Sequence, residues 1–173
     1  AGNCVSNELL IELGGSYEFN HATFGNYTGT EAGSSNSGNS VSIKNWGNKD
    51  GDMIDADLVK CDFYNSIIYG VTENELTLSD NGAVFNYSVN YSLLAVQGES
   101  NSSNEFTACV FGKDPLFNEV SEGDFLLTAN SPAIDIADLN VVQSKSAQLG
   151  ADLKSDNRTV DDHPDAGVYE FIP

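Results

Sequence analysis

Positive charge is what this sequence has least of. Seven Lys and Arg stand against 26 Asp and Glu in 173 residues, a formal net charge of −19, and Arg158 is the sole arginine. Nucleic acid is argued against, because affinity for it rests on neutralising phosphates with Lys and Arg. Polyuronates and anionic lipid headgroups are repelled on the same grounds unless a divalent cation bridges the two. A polysaccharide lyase needs a cation and a base at one place, and Lys44, Lys49, Lys60, Lys113, Lys145, Lys154 and Arg158 do not cluster along the chain. Histidine is scarce too, His21 and His163, and the three cysteines contain no Cys-x-x-Cys, so no zinc motif is present. Cys4, Cys61 and Cys109 cannot all pair with one another; unpaired cysteine behaves as a small hydrophobe, and all three are expected in the core. No apolar run reaches the roughly 18 residues of a membrane span, and no charged start followed by an apolar block marks a signal peptide. The sequence opens at Ala1-Gly2-Asn3-Cys4 inside what reads as a folded region, so it is expected to be either a mature secreted protein or, the favoured reading, part of a longer one.

At 40% hydrophobic the chain can build one core. Glu8 to Leu13 reads as a strand ended by Gly14-Gly15, and Tyr17 to Phe24 alternates with the period of two that a half-buried strand requires. From Gly25 to Ser40 the sequence is Gly, Ser, Asn and Thr, a long surface loop. Further strands are expected at Val41 to Trp46, Leu58 to Phe63, Ser66 to Gly70, Glu75 to Leu78 and Tyr87 to Leu94, with a second polar loop over 98–105. The one helical candidate is a short turn from Leu139 to Gln148 with Asp138 as N-cap.

Repetition separates a solenoid from a sandwich. Laying Tyr17 to Phe24 over Ala56 to Phe63 and Tyr87 to Leu94 matches an apolar third position, a small sixth and an apolar eighth, at offsets of 39 and 31 residues. Asn26 and Asn65 then fall at equivalent turn positions and could stack as a ladder. A rival register sets Phe19, Val41, Phe63 and Phe85 at a constant 22. Self-similarity of this kind is what stacked coils produce.

The tail carries four ordered motifs: Asp114-Pro115-Leu116-Phe117, Ser131-Pro132-Ala133-Ile134-Asp135, Asp152 to Arg158, and Asp165-Ala166-Gly167-Val168-Tyr169-Glu170. With the strand phrases His21 to Tyr27 and Asn65 to Gly70, they resemble the right-handed parallel β-helix proteins of the pectin-lyase-like superfamily, in the version common among secreted and surface proteins of Bacteroidetes-type bacteria. Ser155 stands where that family has Gly, Ala166 and Val168 replace Ile and Ala, and Ala22 sits where Cys is common. The resemblance implies an all-β right-handed solenoid with an irregular C-terminal cap, coils over 1–112 and the last coil and cap over 113–173. The tail is then a lid over the open end of the stack, with Asp135, Asp152, Arg158 and Tyr169 as cap residues and an Asp152–Arg158 ion pair at its centre.

Candidate chemistry is sparse. Asp50, Asp52, Asp55 and Asp57 could offer oxygens to Ca²⁺, but their spacing fails the EF-hand pattern and a solvated turn is the preferred reading; no other cofactor is indicated. Trp46, Tyr69 and Tyr91, with Tyr27 and Tyr64, are aromatics that could stack on a sugar ring or could be core. Asp161-Asp162 is the tempting carboxylate pair for a hydrolase, yet it lies in a Pro- and Asp-rich tail. The reading is a non-catalytic C-terminal portion of a bacterial secreted or outer-surface β-helix protein, joined to upstream coils and associated with polysaccharide by family analogy. Its rivals are a fragment of a lyase or hydrolase whose active site lies upstream, and a structural stalk or adhesin segment.

Overall fold

The computed structural model describes Cys4, residues 6–27 and residues 38–173. Strands β1 (Leu9–Ile11), β2 (Gly15–Asn20) and β3 (Thr23–Asn26) make a first coil. A second follows from β4 (Val41–Lys44), β7 (Leu58–Tyr64) and β8 (Ile67–Gly70), interrupted by a hairpin of β5 (Trp46–Lys49) and β6 (Asp52–Asp55). The third coil is β9 (Leu76–Ser79), β10 (Ser88–Asn90) and β11 (Leu93–Leu94), and the fourth β12 (Phe106–Thr107) and β13 (Val110–Phe111). Like strands stack in parallel as three sheets: sheet 1 is β1-β4-β9, sheet 2 is β2-β7-β10-β12 and sheet 3 is β3-β8-β11-β13. This is an all-β right-handed parallel β-helix, closed by an irregular C-terminal cap of β14 (Phe117–Glu119), β15 (Asp124–Leu127), α1 (Leu139–Ser144) and α2 (Ser146–Leu149). Asp138 caps α1 by accepting from the Asn140 amide, as its sequence position indicates.

One corner sets the register. Between sheets 2 and 3 every coil turns on a single residue of positive φ: His21 (47°), Asn65 (53°), Tyr91 (50°) and Ala108 (52°). The next residue, Ala22, Ser66, Ser92 or Cys109, points inward and forms a ladder. Ser66 Oγ accepts from the Ala22 amide at 3.2 Å, and Ser92 Oγ from the Ser66 amide at 2.9 Å. Each hydroxyl donates to the carbonyl two residues back in its own coil. The Asn101 side chain ends the ladder by pairing with both the N–H and C=O of Cys109. Inward of the corner, Phe19, Phe63, Val89 and Phe106 share a row, as do Phe24, Ile68, Leu94 and Phe111. Phe19 stacks on Phe63 with ring centroids 4.7 Å apart.

That register corrects the first alignment, which set Phe19 on Leu58; the rival spacing matches Phe19 with Phe63, as the structure does, but its Val41 belongs to sheet 1 and its Phe85 bridges Leu58. The Asn26–Asn65 ladder does not form, because Asn26 pairs with Gly70 while Asn65 stacks under His21, Nδ2 to Nε2 2.9 Å. The strands expected at Tyr17 to Phe24 and Tyr87 to Leu94 are each two strands, broken where the positive-φ residue turns the chain. The loop expected over Gly25 to Ser40 is shortened by β3, which runs through Asn26; its residues 28–37 lie outside the described residues. Of the cysteines, Cys61 and Cys109 are core, whereas Cys4 is exposed.

The cap lies along the flank of the solenoid, where the sequence had suggested a lid over its end. Outward-facing Ile67 and Leu93 of sheet 3 are fully buried, packed with Leu127, Ala133 and Ala166 of the tail. Each such side chain contributes about 1.5–3 kcal/mol on burial. Gly167 is the close point: its amide donates to the Asn65 carbonyl at 2.8 Å, its φ is 93°, and a Cβ there would stand 2.8 Å from both Ile67 Cδ1 and Thr23 Oγ1. Gly167→Ala should therefore lower stability by about 2–3 kcal/mol through backbone strain and overpacking, a fall in Tm of roughly 5–10 °C for a domain of this size, measured by thermal unfolding.

Candidate functional site

Beyond the β14–β15 ladder, four carboxyl-bearing and basic side chains hold the irregular tail together. Asp152 accepts from the amides of Lys154, Asp156 and Glu170, and Asp165 from those of Asp135 and Phe171. Arg158, 2% exposed, donates to Glu170 at 3.1 Å and to the Gly167 carbonyl at 3.1 Å. Its ion-pair partner is thus Glu170 and not Asp152, whose oxygens are spent on backbone amides. Asp135 is exposed at a positive-φ turn (62°) and Tyr169 is half-buried. The groups of this cluster face one another across the seam.

His21 belongs to the same seam. Asn65 Oδ1 takes the Asp138 amide, so its Nδ2 is the donor to the Asp138 carbonyl and to His21 Nε2. His21 is then neutral with its proton on Nδ1, which is buried and makes no hydrogen bond among the described residues. Burial, followed by the Arg158 charge, holds its pKa down to about 3. Burial and then the Asp165 charge lift Glu170 to about 7 despite Arg158.

The expected calcium ligands do not converge. Asp50 and Gly51, both of positive φ, form the tip of the β5–β6 hairpin, a turn signal that Asp-Gly gives in sequence. Asp55 accepts from the Asn81 side chain and Asp57 from the Val84 amide. Among the described residues no group of three or more His, Cys, Asp or Glu is arranged to hold a metal. Trp46 donates its indole N–H to Ser79 Oγ at 2.9 Å and carries the Lys44 ammonium 4.8 Å above its ring. Tyr91 is a corner residue, half-buried. Tyr69 does line a groove, of about 300 Å³, where the chain leaves sheet 3.

A second groove, of about 380 Å³, was not foreseen. Its floor is the outer face of sheet 2, its wall α1 and Lys145. Two rows of polar side chains cross this face in strand register, Asn20, Tyr64, Asn90 and Thr107 in one, Glu18, Asp62 and Ser88 in the other. Lys60 Nζ lies 2.6 Å from Glu18 and 3.3 Å from Asp62, and Lys145 grips the other oxygen of Glu18. Ser88 donates to Asp62, and Asn90 to Ser88. Lys60 and Lys145 stand 85 positions apart in sequence, so only the path of the tail back across the coils reveals that they meet.

Comparison with protein-family models, curated proteins and solved structures finds no match for the chain. What the structure supports is the β-helix architecture itself. Among the described residues no helix is long and apolar enough to cross a membrane.

The seam generates a pH prediction. Between pH 6.5 and about 3 the unfolded chain binds a proton at His21 that the native chain does not, so this group lowers stability by roughly 1.4 kcal/mol per unit as pH falls through that window. Glu170 acts oppositely between 7 and 4.5, where the native chain holds a proton the unfolded one has released, and the two offset each other down to about 4.5. His21→Asn, which keeps a residue tolerant of positive φ, should remove the His21 slope, so that urea midpoints of the variant fall less than those of the parent between pH 4.5 and 3. Parallel curves would show that His21 does not set the acid limit.

Proposed function

We propose that this chain is a non-catalytic β-helix module that holds an extended, uncharged polysaccharide strand across the outer face of sheet 2. The observation that carries this is the pair of polar rows leading into the groove under α1. They repeat at the strand spacing of about 4.8 Å, which suits a polymer better than a compact ligand. Amide, hydroxyl, carboxylate and ammonium groups offer donors and acceptors together, and charge-assisted bonds to sugar hydroxyls are the stronger kind. Tyr64 supplies an aromatic surface beside them. Glu18 and Asp62 balance Lys60 and Lys145, so the face is locally neutral in a chain of net charge −19; a uronate would gain nothing there to offset the repulsion of the whole.

Kinship with the pectin-lyase-like superfamily, and with it a place outside a bacterial cell, belongs to this reading and rests on the tail motifs and coil phrases. An enzyme reading has one observation in its favour, since Glu18 and Asp62 are close enough to share Lys60. Yet that ammonium and the Ser88 hydroxyl occupy the room a general acid and an attacking water would need.

Retention of the purified chain on insoluble neutral glycans such as cellulose, xylan and mannan tests the proposal. Tyr64→Ala and Lys145→Ala should each weaken it about tenfold, equivalent to about 1.4 kcal/mol, with Tm little changed because both side chains face outward. Retention unaffected by either variant would overturn the assignment to sheet 2. Release of reducing ends or unsaturated sugars would favour the enzyme reading, and absence of retention on every glycan the stalk.

A further inference from the structure

The groove beside Tyr69 differs from the sheet 2 face in its charge. Tyr69 forms one wall, Gly70, Ala95 and Gly112 the floor, and Glu73 and Gln97 the rim, so three successive coils contribute. The small floor is required: a Cβ on Gly70 would stand 2.3 Å from the Asn26 carbonyl oxygen and 2.4 Å from Glu75 Oε1. Glu75 therefore lies directly beneath. It is fully buried, and its carboxylate is held by the amide and hydroxyl of Thr72 and the amide and hydroxyl of Ser40, at 2.7–2.9 Å. All four donors are neutral. Among the described residues no ammonium or guanidinium lines the groove, and Asp114 follows Gly112 by two positions. After burial, the charges of Asp114 and Glu75 are what raise the Tyr69 hydroxyl's pKa. The Tyr69 ring is itself steadied by Tyr27, centroids 6.5 Å apart.

An aromatic ring beside carboxylates that no cation balances attracts a positive group. A groove of about 300 Å³ is at the small end for ligands, which points to a single ring. We propose that the Tyr69 groove binds an amino sugar with an unacylated amine: the ring lies against Tyr69, the ammonium faces Glu73 above the buried Glu75, and Gln97 serves the hydroxyls. This site is separate from the sheet 2 face and does not depend on it.

Calorimetry with a glucosamine trimer and an N-acetylglucosamine trimer, at about pH 6 and about 50 mM salt, tests the assignment. The amine trimer should bind at least tenfold more tightly, weaken on raising salt to about 300 mM, and lose at least fivefold on Tyr69→Ala and on Glu73→Gln. Asp52→Asn, on the exposed β5–β6 hairpin, should leave it unchanged. Equal affinity for the two trimers would overturn the proposal. So would equal losses for Glu73→Gln and Asp52→Asn, which would mean general attraction to an acidic surface. Because Glu73 is exposed, its variant keeps the test decisive even if Tyr69→Ala unfolds, and a lysine-rich peptide binding through Glu73 when the amine trimer does not would reassign the groove to a protein partner.

Discussion

The fold depends on one repeated backbone event, the single positive-φ residue that swings each coil from sheet 2 to sheet 3. A residue in that conformation fixes where the following side chain points, and the small residue after it fills a corner too narrow for anything larger. Because Ser66 and Ser92 each take an amide from the coil before and give a proton to their own coil, the corner is bonded along the stack as well as within each turn. Any slip of one residue would break this ladder and turn the Phe19–Phe63–Val89–Phe106 row outward. Loops elsewhere can differ in length, since nothing else in the coil has to match its neighbour so closely.

That freedom explains how much of the architecture could be read from the residues. Alternation in Val41 to Lys44 and Leu58 to Phe63, with turns between, was enough for strands; stacking was read from repetition, in a register the structure corrects, and from the resemblance carried by the tail motifs, which also indicated a cap. The spacing was misread because equivalent residues lie 44, 26 and 17 apart, with an inserted hairpin and the 28–37 stretch inflating one interval. Only asparagine or histidine at the corner hints at positive φ; Tyr91 and Ala108 do not.

The position of the tail was legible in a signal that went unused. Ile67-Ile68, Leu93-Leu94 and Val110-Phe111 are adjacent apolar pairs, and neighbours on a strand face opposite ways, so both faces of sheet 3 have to be covered. One face is the interior and the other needs a partner, which the tail provides. The sheet 2 groove was beyond reach of sequence, because its lysines converge through tertiary path alone. Tyr69 was picked as an aromatic among several, and the groove that sets it apart from Trp46 and Tyr91 comes from small residues on three coils.

The seam of the tail also bears on the order in which the chain assembles. Val168 bonds to Thr23, 145 residues earlier, and Gly167 to Asn65, so the strap ties the end of the chain to its first two coils. Coils add by local steps, whereas this closure spans almost the whole polypeptide. An interaction that forms after the rate-limiting step does little for the speed of folding and much for the slowness of its reversal. If closure of the C-terminal strap follows that step, its loss speeds unfolding and leaves the rate of folding unchanged.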